Sequence, residues 1–166
     1  KAVQTSPTAA NRFALATAYL KAKQNDKALP LIAAAAEQEP KNVELRLTLG
    51  RLRREAKAYD PAAREFFVAT QIDPSSKVAW SEFASTLFLL GNYQGTLTAF
   101  DKLRALGEET AAQWYLRALC YDRMQLYKEA LPAYEKFLAM SEGKSPEEEF
   151  KARQRIRVVK KILERR

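Results

Sequence analysis

Apolar residues recur at spacings of three and four along most of the chain, with polar and charged residues between them. That spacing places the apolar positions on one side of a 3.6-residue helix, so the pattern predicts successive amphipathic helices. Breakers interrupt the pattern at Gln24-Asn25-Asp26, Gly91-Asn92 and Gly107. Further stops fall at Glu39-Pro40 and Asp73-Pro74, because proline cannot continue the backbone hydrogen-bond ladder. Pro30 and Pro132 sit inside expected helices, early enough that the missing N–H lies near the first turn. Glycine is scarce, with five residues, which argues against a turn-rich β fold.

The pattern repeats. Four copies begin at Ala9, Val43, Lys77 and Ala111, each 34 residues after the last and with no insertion. The fourth place of each copy is Arg12, Arg46, Trp80 and Trp114, and the seventh is Leu15, Leu49, Phe83 and Arg117. Small residues fill the eighth place (Ala16, Gly50, Ala84, Ala118) and the twentieth (Ala28, Ala62, Thr96, Ala130). Tyr19, Arg53, Leu87 and Tyr121 share the eleventh, and Asn25, Tyr59, Tyr93 and Tyr127 the seventeenth. The twenty-fourth holds Ile32, Phe66, Phe100 and Tyr134; the twenty-seventh holds Ala35, Ala69, Leu103 and Phe137. Small residues at two fixed places let helix axes approach to about 8–10 Å, and the large ones fill the space between hairpins. Phe66 and Phe100 are therefore expected in the core. One hairpin cannot bury its own apolar face, so such copies are stable only as a stack.

These places resemble the tetratricopeptide repeat, whose signature is Trp, Leu-Gly, Tyr, then Ala, Phe and Pro at these offsets. The likeness covers 9–142, divided as 9–42, 43–76, 77–110 and 111–142, after an N-terminal extension over 1–8. It departs at Arg12, Arg46, Arg53 and Arg117, which replace large apolar residues, and at Glu108 and Glu142, which stand where Pro40 and Pro74 close the first two copies. The resemblance implies an all-α fold, an α-solenoid of four antiparallel helix-turn-helix hairpins, closed here by a basic helix over 145–166. It also implies a protein-interaction scaffold that binds a partner segment on its concave surface. The fifth, ninth and twelfth places of the first helices are prominent there. In this chain they are Phe13, Thr17 and Leu20; Leu47, Arg51 and Arg54; Ser81, Ser85 and Phe88; and Tyr115, Leu119 and Asp122. The clamp of Lys, Asn and Arg that holds a C-terminal carboxylate in chaperone-binding relatives is not reproduced, since the fifth and ninth places of the first three copies hold Arg51 as their one basic residue and no Asn. The expected partner is an extended segment with apolar anchors and an acidic residue near Arg51 and Arg54.

Charge changes the picture at one end. Of the net charge of +8, residues 151–166 carry +7, from eight basic residues against Glu164. The last helix is expected to begin with Ser145 as N-cap, Pro146 in the first position and Glu148 closing a capping box, and to turn Phe150, Ile156, Val159 and Leu163 toward one side. It reads first as a cap with its charge in water. Ala152 also fits the eighth place of a fifth copy, so a truncated repeat is the other reading. The alternative function is an anionic partner, nucleic acid or lipid, at this helix, with binding that falls steeply as salt rises.

Catalytic chemistry finds little support. Histidine is absent, no metal-ligand spacing or glycine-rich phosphate loop occurs, and no cofactor is expected. Glu147, Glu148 and Glu149 suit a helix start electrostatically. Cys120, the single cysteine, reads as a packing residue, and Tyr59, Tyr93 and Tyr127 as packing rather than a base-stacking ladder. No run reaches the roughly 20 apolar residues of a membrane helix, and Lys1 to Thr8 lack the apolar core of a signal peptide. The chain starts without Met, which leaves three readings of what stood upstream: a signal sequence, another domain or a cloning boundary.

Overall fold

The computed structural model describes residues 7–107 and 110–165. Residues 1–6, most of the N-terminal extension, and Glu108, Glu109 and Arg166 lie outside the described residues. The described residues form α1 (Ala9–Lys21), α2 (Asn25–Gln38), α3 (Val43–Glu55), α4 (Tyr59–Ile72), α5 (Lys77–Leu89), α6 (Tyr93–Ala105), α7 (Ala111–Arg123), α8 (Tyr127–Ser141) and α9 (Pro146–Glu164), with no strand among them. The class is the all-α solenoid of helix-turn-helix hairpins, followed by a single C-terminal helix. The first helix of every hairpin begins at the first place of its copy, and the second at the seventeenth.

Each start and each turn has a local cause. Thr8, Asn42, Ser76 and Thr110 precede the four first helices, and their side-chain oxygens accept from the N–H groups of Asn11, Leu45, Ala79 and Gln113. Such a cap satisfies one otherwise orphaned donor and contributes about 1 kcal/mol. The first helices end in one shared motif. Lys23, Lys57, Gly91 and Gln125, all at the fifteenth place, have positive φ of 57°, 60°, 74° and 59°. Their N–H groups donate to Leu20, Arg54, Phe88 and Asp122, and the next residue's N–H to Tyr19, Arg53, Leu87 and Tyr121, the double closure of a Schellman turn. The expected break over Gln24-Asn25-Asp26 is accordingly narrower, since Asn25 and Asp26 already belong to α2.

The chain divides into two compact units, Lys1–Thr86 and Leu87–Arg166. In the first, α1 packs on α2, α2 on α3 and α3 on α4. Ala16, Ala28, Ile32, Ala35, Leu45, Leu49 and Leu52 form its core, and Phe66 is fully buried. A Cβ on Gly50 would stand 2.6 Å from the Phe66 ring, which is why glycine occupies the eighth place there. In the second unit, α6 packs on α7, α7 on α8 and α8 on α9. Ala118, Ala130, Ala133, Tyr134, Phe137 and Ala152 form one core cluster, and Phe100 and Leu103 are also buried.

The departures from the repeat signature resolve into matched exchanges. Trp80 at the fourth place donates its indole N–H to the carbonyl of Pro74 at 2.9 Å. Arg46, at the same place one copy earlier, donates through Nε to the carbonyl of Pro40 at 3.2 Å. The guanidinium thus keeps the donor that the indole supplies. Arg46 also joins Arg53 on the buried carboxylate of Glu65, at 2.8 and 2.6 Å. The seventh and twenty-fifth places meet between neighbouring copies. In the first unit they are Phe83 and Phe67, with ring centroids 5.5 Å apart. In the second they are Arg117 and Asp101, an ion pair at 2.8 Å, with Arg117 also over the Phe100 and Trp114 rings. Leu15, at the seventh place of the first copy, is 49% exposed, contrary to the core role its place implies.

The last helix departs from its expected details. Ser145 is the N-cap but makes no side-chain capping bond, so the Ser145–Glu148 box does not form. A capping box occurs instead at Thr110 and Gln113. Glu149 takes over the entry to α9: its carboxylate accepts from the Ser141 hydroxyl and the Gly143 N–H, both at 2.6 Å, and from Arg153 at 2.7 Å. Phe150 is 62% exposed and not on the packed side, which runs through Glu149, Ala152, Ile156, Val159 and Leu163. The reason is angular: at about 100° per residue, Phe150 falls opposite Ala152 and Val159.

Candidate functional site

The first unit holds eight of the twelve expected partner-contacting residues. Phe13 and Leu20 of α1 are half-buried against the core cluster of that unit, so part of each serves packing. Thr17 donates its hydroxyl to the Phe13 carbonyl. Leu47 of α3 is half-buried. Arg51 and Arg54, three apart on α3, both reach Glu82 of α5, each at 2.6 Å. Their side chains remain 46% and 26% exposed. Arg54 also lies 5.4 Å from the Phe66 ring centre and 3.5 Å from the Thr86 hydroxyl. Ser81 and Ser85 are half-buried, and the Ser85 hydroxyl donates to the Ser81 carbonyl. The residue that sequence reasoning missed here is Glu82, at the sixth place. Nothing in its own position marked it, but two arginines three apart on the preceding first helix call for a carboxylate within reach.

The second unit holds Phe88, Tyr115, Leu119 and Asp122. Phe88 packs its ring 5.8 Å from that of Tyr93. Tyr115 and Leu119 of α7 border the core cluster, and the Tyr115 ring lies 4.8 Å from Phe137 and 6.4 Å from Tyr134. Asp122 is engaged from two sides. It accepts from the Tyr134 hydroxyl at 2.9 Å, and Arg155 of α9 grips both its oxygens, one of them at 2.8 Å. Burial, then the neighbouring Asp122 carboxylate, pushes the Tyr134 phenol far up, so it stays a neutral donor. The Asp122 hydrogen bond holds the Arg155 guanidinium above its ordinary range. Tyr115, Leu119 and Asp122 line a cavity of about 440 Å³ together with Arg123, Tyr134, Lys151 and Arg155.

The basic tail is less free than its composition implies. Lys151 pairs with Glu147, Arg153 with Glu149, Arg155 with Asp122, and Lys160 with Glu135. Arg157, Lys161 and Arg165 are exposed. Cys120 is buried beside Thr96, and burial pushes its thiol up to about 12. A thiol so far above its ordinary range is a packing group and a poor nucleophile. No helix among the described residues is long and apolar enough to cross a membrane. No described cluster of His, Cys, Asp or Glu is arranged to hold a metal ion.

Fold and site together define a tandem helical-hairpin scaffold. The tetratricopeptide repeat model matches residues 13–77 and 82–145, and the chain belongs to that family. Tetratricopeptide repeats are non-catalytic scaffolds, which gives the chain a general protein-interaction role and a protein or peptide as its class of partner. Among solved structures, a crystal structure of MamA protein shares 22% identity, covers 93% of this chain and 82% of that one, and superposes with a TM-score of 0.81. MamA 41-end from Desulfovibrio magneticus RS-1 shares 16% identity over 95% and 96% of the two chains, with a TM-score of 0.75. MamA MSR-1 shares 20% over 84% and 80%, also with a TM-score of 0.75. At these identities the likeness is one of fold. No curated protein matches the sequence.

Proposed function

We propose that the chain holds an extended segment of a partner protein on the exposed side of its first helices, through apolar anchors. The observation that carries this reading is the state of the fifth, ninth and twelfth places. Phe13, Leu20, Leu47, Phe88, Tyr115 and Leu119 are all half-buried, so part of their apolar surface stays in solvent. Apolar surface left at positions rimmed by charge is a partner-binding signature.

The acidic contact is more demanding. Glu82 already holds Arg51 and Arg54, so an acidic partner residue must exchange with it. Exchange is feasible because a partly exposed ion pair is worth only about 0–1 kcal/mol. Arg51→Glu with Arg54→Glu should weaken partner capture while leaving the helical circular dichroism and melting cooperativity in place. Glu82→Gln should strengthen capture of an acidic segment. Unchanged capture in both variants would remove the acidic element from this proposal. The alternative, nucleic acid or anionic lipid at α9, draws on the exposed Arg157, Lys161 and Arg165, but four of the tail's other cations are already in ion pairs.

A further inference from the structure

We propose that α9 is one wall of a peptide pocket in the second unit, and that this pocket takes an acidic-apolar stretch: an aromatic or long aliphatic side chain next to a carboxylate. The inference rests on the scaffold reading and extends it to a helix read at first as a cap. Three positions chosen from sequence, Tyr115, Leu119 and Asp122, converge on one cavity of about 440 Å³ whose other lining comes from Arg123, Tyr134 of α8, and Lys151 and Arg155 of α9. That volume lies at the small end of ligand pockets and suits a side chain or two rather than a folded surface.

Its lining is divided by chemistry. Tyr115 and Leu119, both half-buried, form the apolar side, and the fully buried Tyr134 and Phe137 stand behind the Tyr115 ring, Tyr134 edge-on to it. An apolar side chain laid on Tyr115 and Leu119 gains burial, and the Tyr134 hydroxyl behind them is already spent on Asp122. The lining holds three cations, Arg123, Lys151 and Arg155, and one acid, Asp122, with Glu147 and Glu148 beside the Lys151 edge. Asp122 is nearly covered and satisfied by Arg155 and Tyr134, so it does not repel as a bare carboxylate would. Lys151 is 58% exposed, and its partner Glu147 is more exposed still, so this pair exchanges readily for a ligand carboxylate. Arg123 is exposed at the cavity edge. The pocket is a single concave site with a half-apolar floor, whereas a nucleic acid backbone calls for an extended track of cations.

The test is a titration of the isotopically labelled full chain with acetyl-Phe-Glu-Gly-amide and with its Gln counterpart, followed by NMR. The Glu peptide should move the signals of Tyr115, Leu119 and Tyr134. Affinity should fall about three- to tenfold with the Gln peptide, and by a similar factor in Lys151→Glu. Arg157→Glu, outside the cavity lining, should bind like the unaltered chain. Equal affinity for the Glu and Gln peptides, no movement of the cavity signals, or a larger loss in Arg157→Glu than in Lys151→Glu would overturn the proposal. So would a single-stranded oligonucleotide that moves the same signals more tightly than the peptide does. If the cavity is silent while Arg51→Glu with Arg54→Glu still weakens partner capture, α9 loses its role and the scaffold reading stands. If capture is also insensitive, both fall.

Discussion

Arg46, Glu65 and Arg53 illustrate how this chain departs from its repeat signature without losing the fold. Two arginines stand where apolar residues are expected, and a single buried glutamate at the twenty-third place neutralises both. Removing one member of a buried ion network strands the others. Glu65→Leu should therefore destabilise the first unit, toward the lower end of the roughly 3–5 kcal/mol typical of a broken buried pair, because both arginines keep some solvent contact. Chemical denaturation measures it, and a neutral outcome would mean that the arginines re-solvate freely. The fifteenth place offers a second test. A side chain in the left-handed region costs about 1–2 kcal/mol, partly offset by the greater freedom glycine has when unfolded. Lys57→Gly should raise stability by about 0.5–1 kcal/mol, and Gly91→Ala should lower it by a similar amount. The two should move the melting temperature in opposite directions. Reading this place from sequence was possible only at Gly91. Lys23, Lys57 and Gln125 carry no residue signal for a left-handed turn, and it is the shared register that places them in one.

At the scale of elements, helix starts were legible because the 34-residue period and the helices have one register: Ala9, Val43, Lys77 and Ala111 open α1, α3, α5 and α7. The capping residues at each copy's edge, Thr8, Asn42, Ser76 and Thr110, went unread because they differ in identity while sharing one bond. The opposite error occurred at α9, where the Ser145–Glu148 spacing matches a capping box but the hydroxyl makes no bond. A buried carboxylate one residue further on displaced it, since Glu149 closes the turn from α8 through Ser141 and Gly143. Those bonds, the Ser141 hydroxyl foremost, hold the Glu149 carboxyl below its ordinary 4.5. A carboxyl lowered on folding adds stability above its ordinary value and loses that contribution as pH falls through the lowered one. Glu149→Gln should therefore melt lower than the unaltered chain near neutrality, and the gap should close in acid. A gap independent of pH would mean that Glu149 acts by packing alone. Ala152 of the same helix is fully buried, in the eighth place of a fifth copy. The third, seventh and tenth places beside it are Glu147, Lys151 and Gln154, where α3 has Leu45, Leu49 and Leu52. That polar face is what a cap presents to water, while the buried Ala152 keeps the register of a repeat.

For the molecule as a whole, repetition made the family readable and charge did not make the partner readable. Composition placed most of the net charge in the last helix, yet ion pairs to Glu147, Glu149, Asp122 and Glu135 occupy half of those cations. Likewise Arg51 and Arg54, attractive as free cations in sequence, share Glu82. The Lys151–Glu147 and Arg153–Glu149 pairs are four apart on one helix and follow a local pattern, whereas the pairs to Glu82, Asp122 and Glu135 join residues 25 to 33 apart and follow from the stacking of copies. The half-buried apolar residues at six of the twelve fifth, ninth and twelfth places are untouched by these pairings, and the functional reading depends on them. Site-specific photocrosslinking examines it most directly. Benzoylphenylalanine replaces Leu47 or Tyr115 in one pair of variants, and the exposed Arg64 or Arg157 in another, with each chain irradiated in the presence of its native extract. The account predicts discrete protein adducts from Leu47 and Tyr115 and none in common with Arg64 or Arg157. Adducts confined to Arg64 or Arg157 would contradict it and move the partner surface off the first helices.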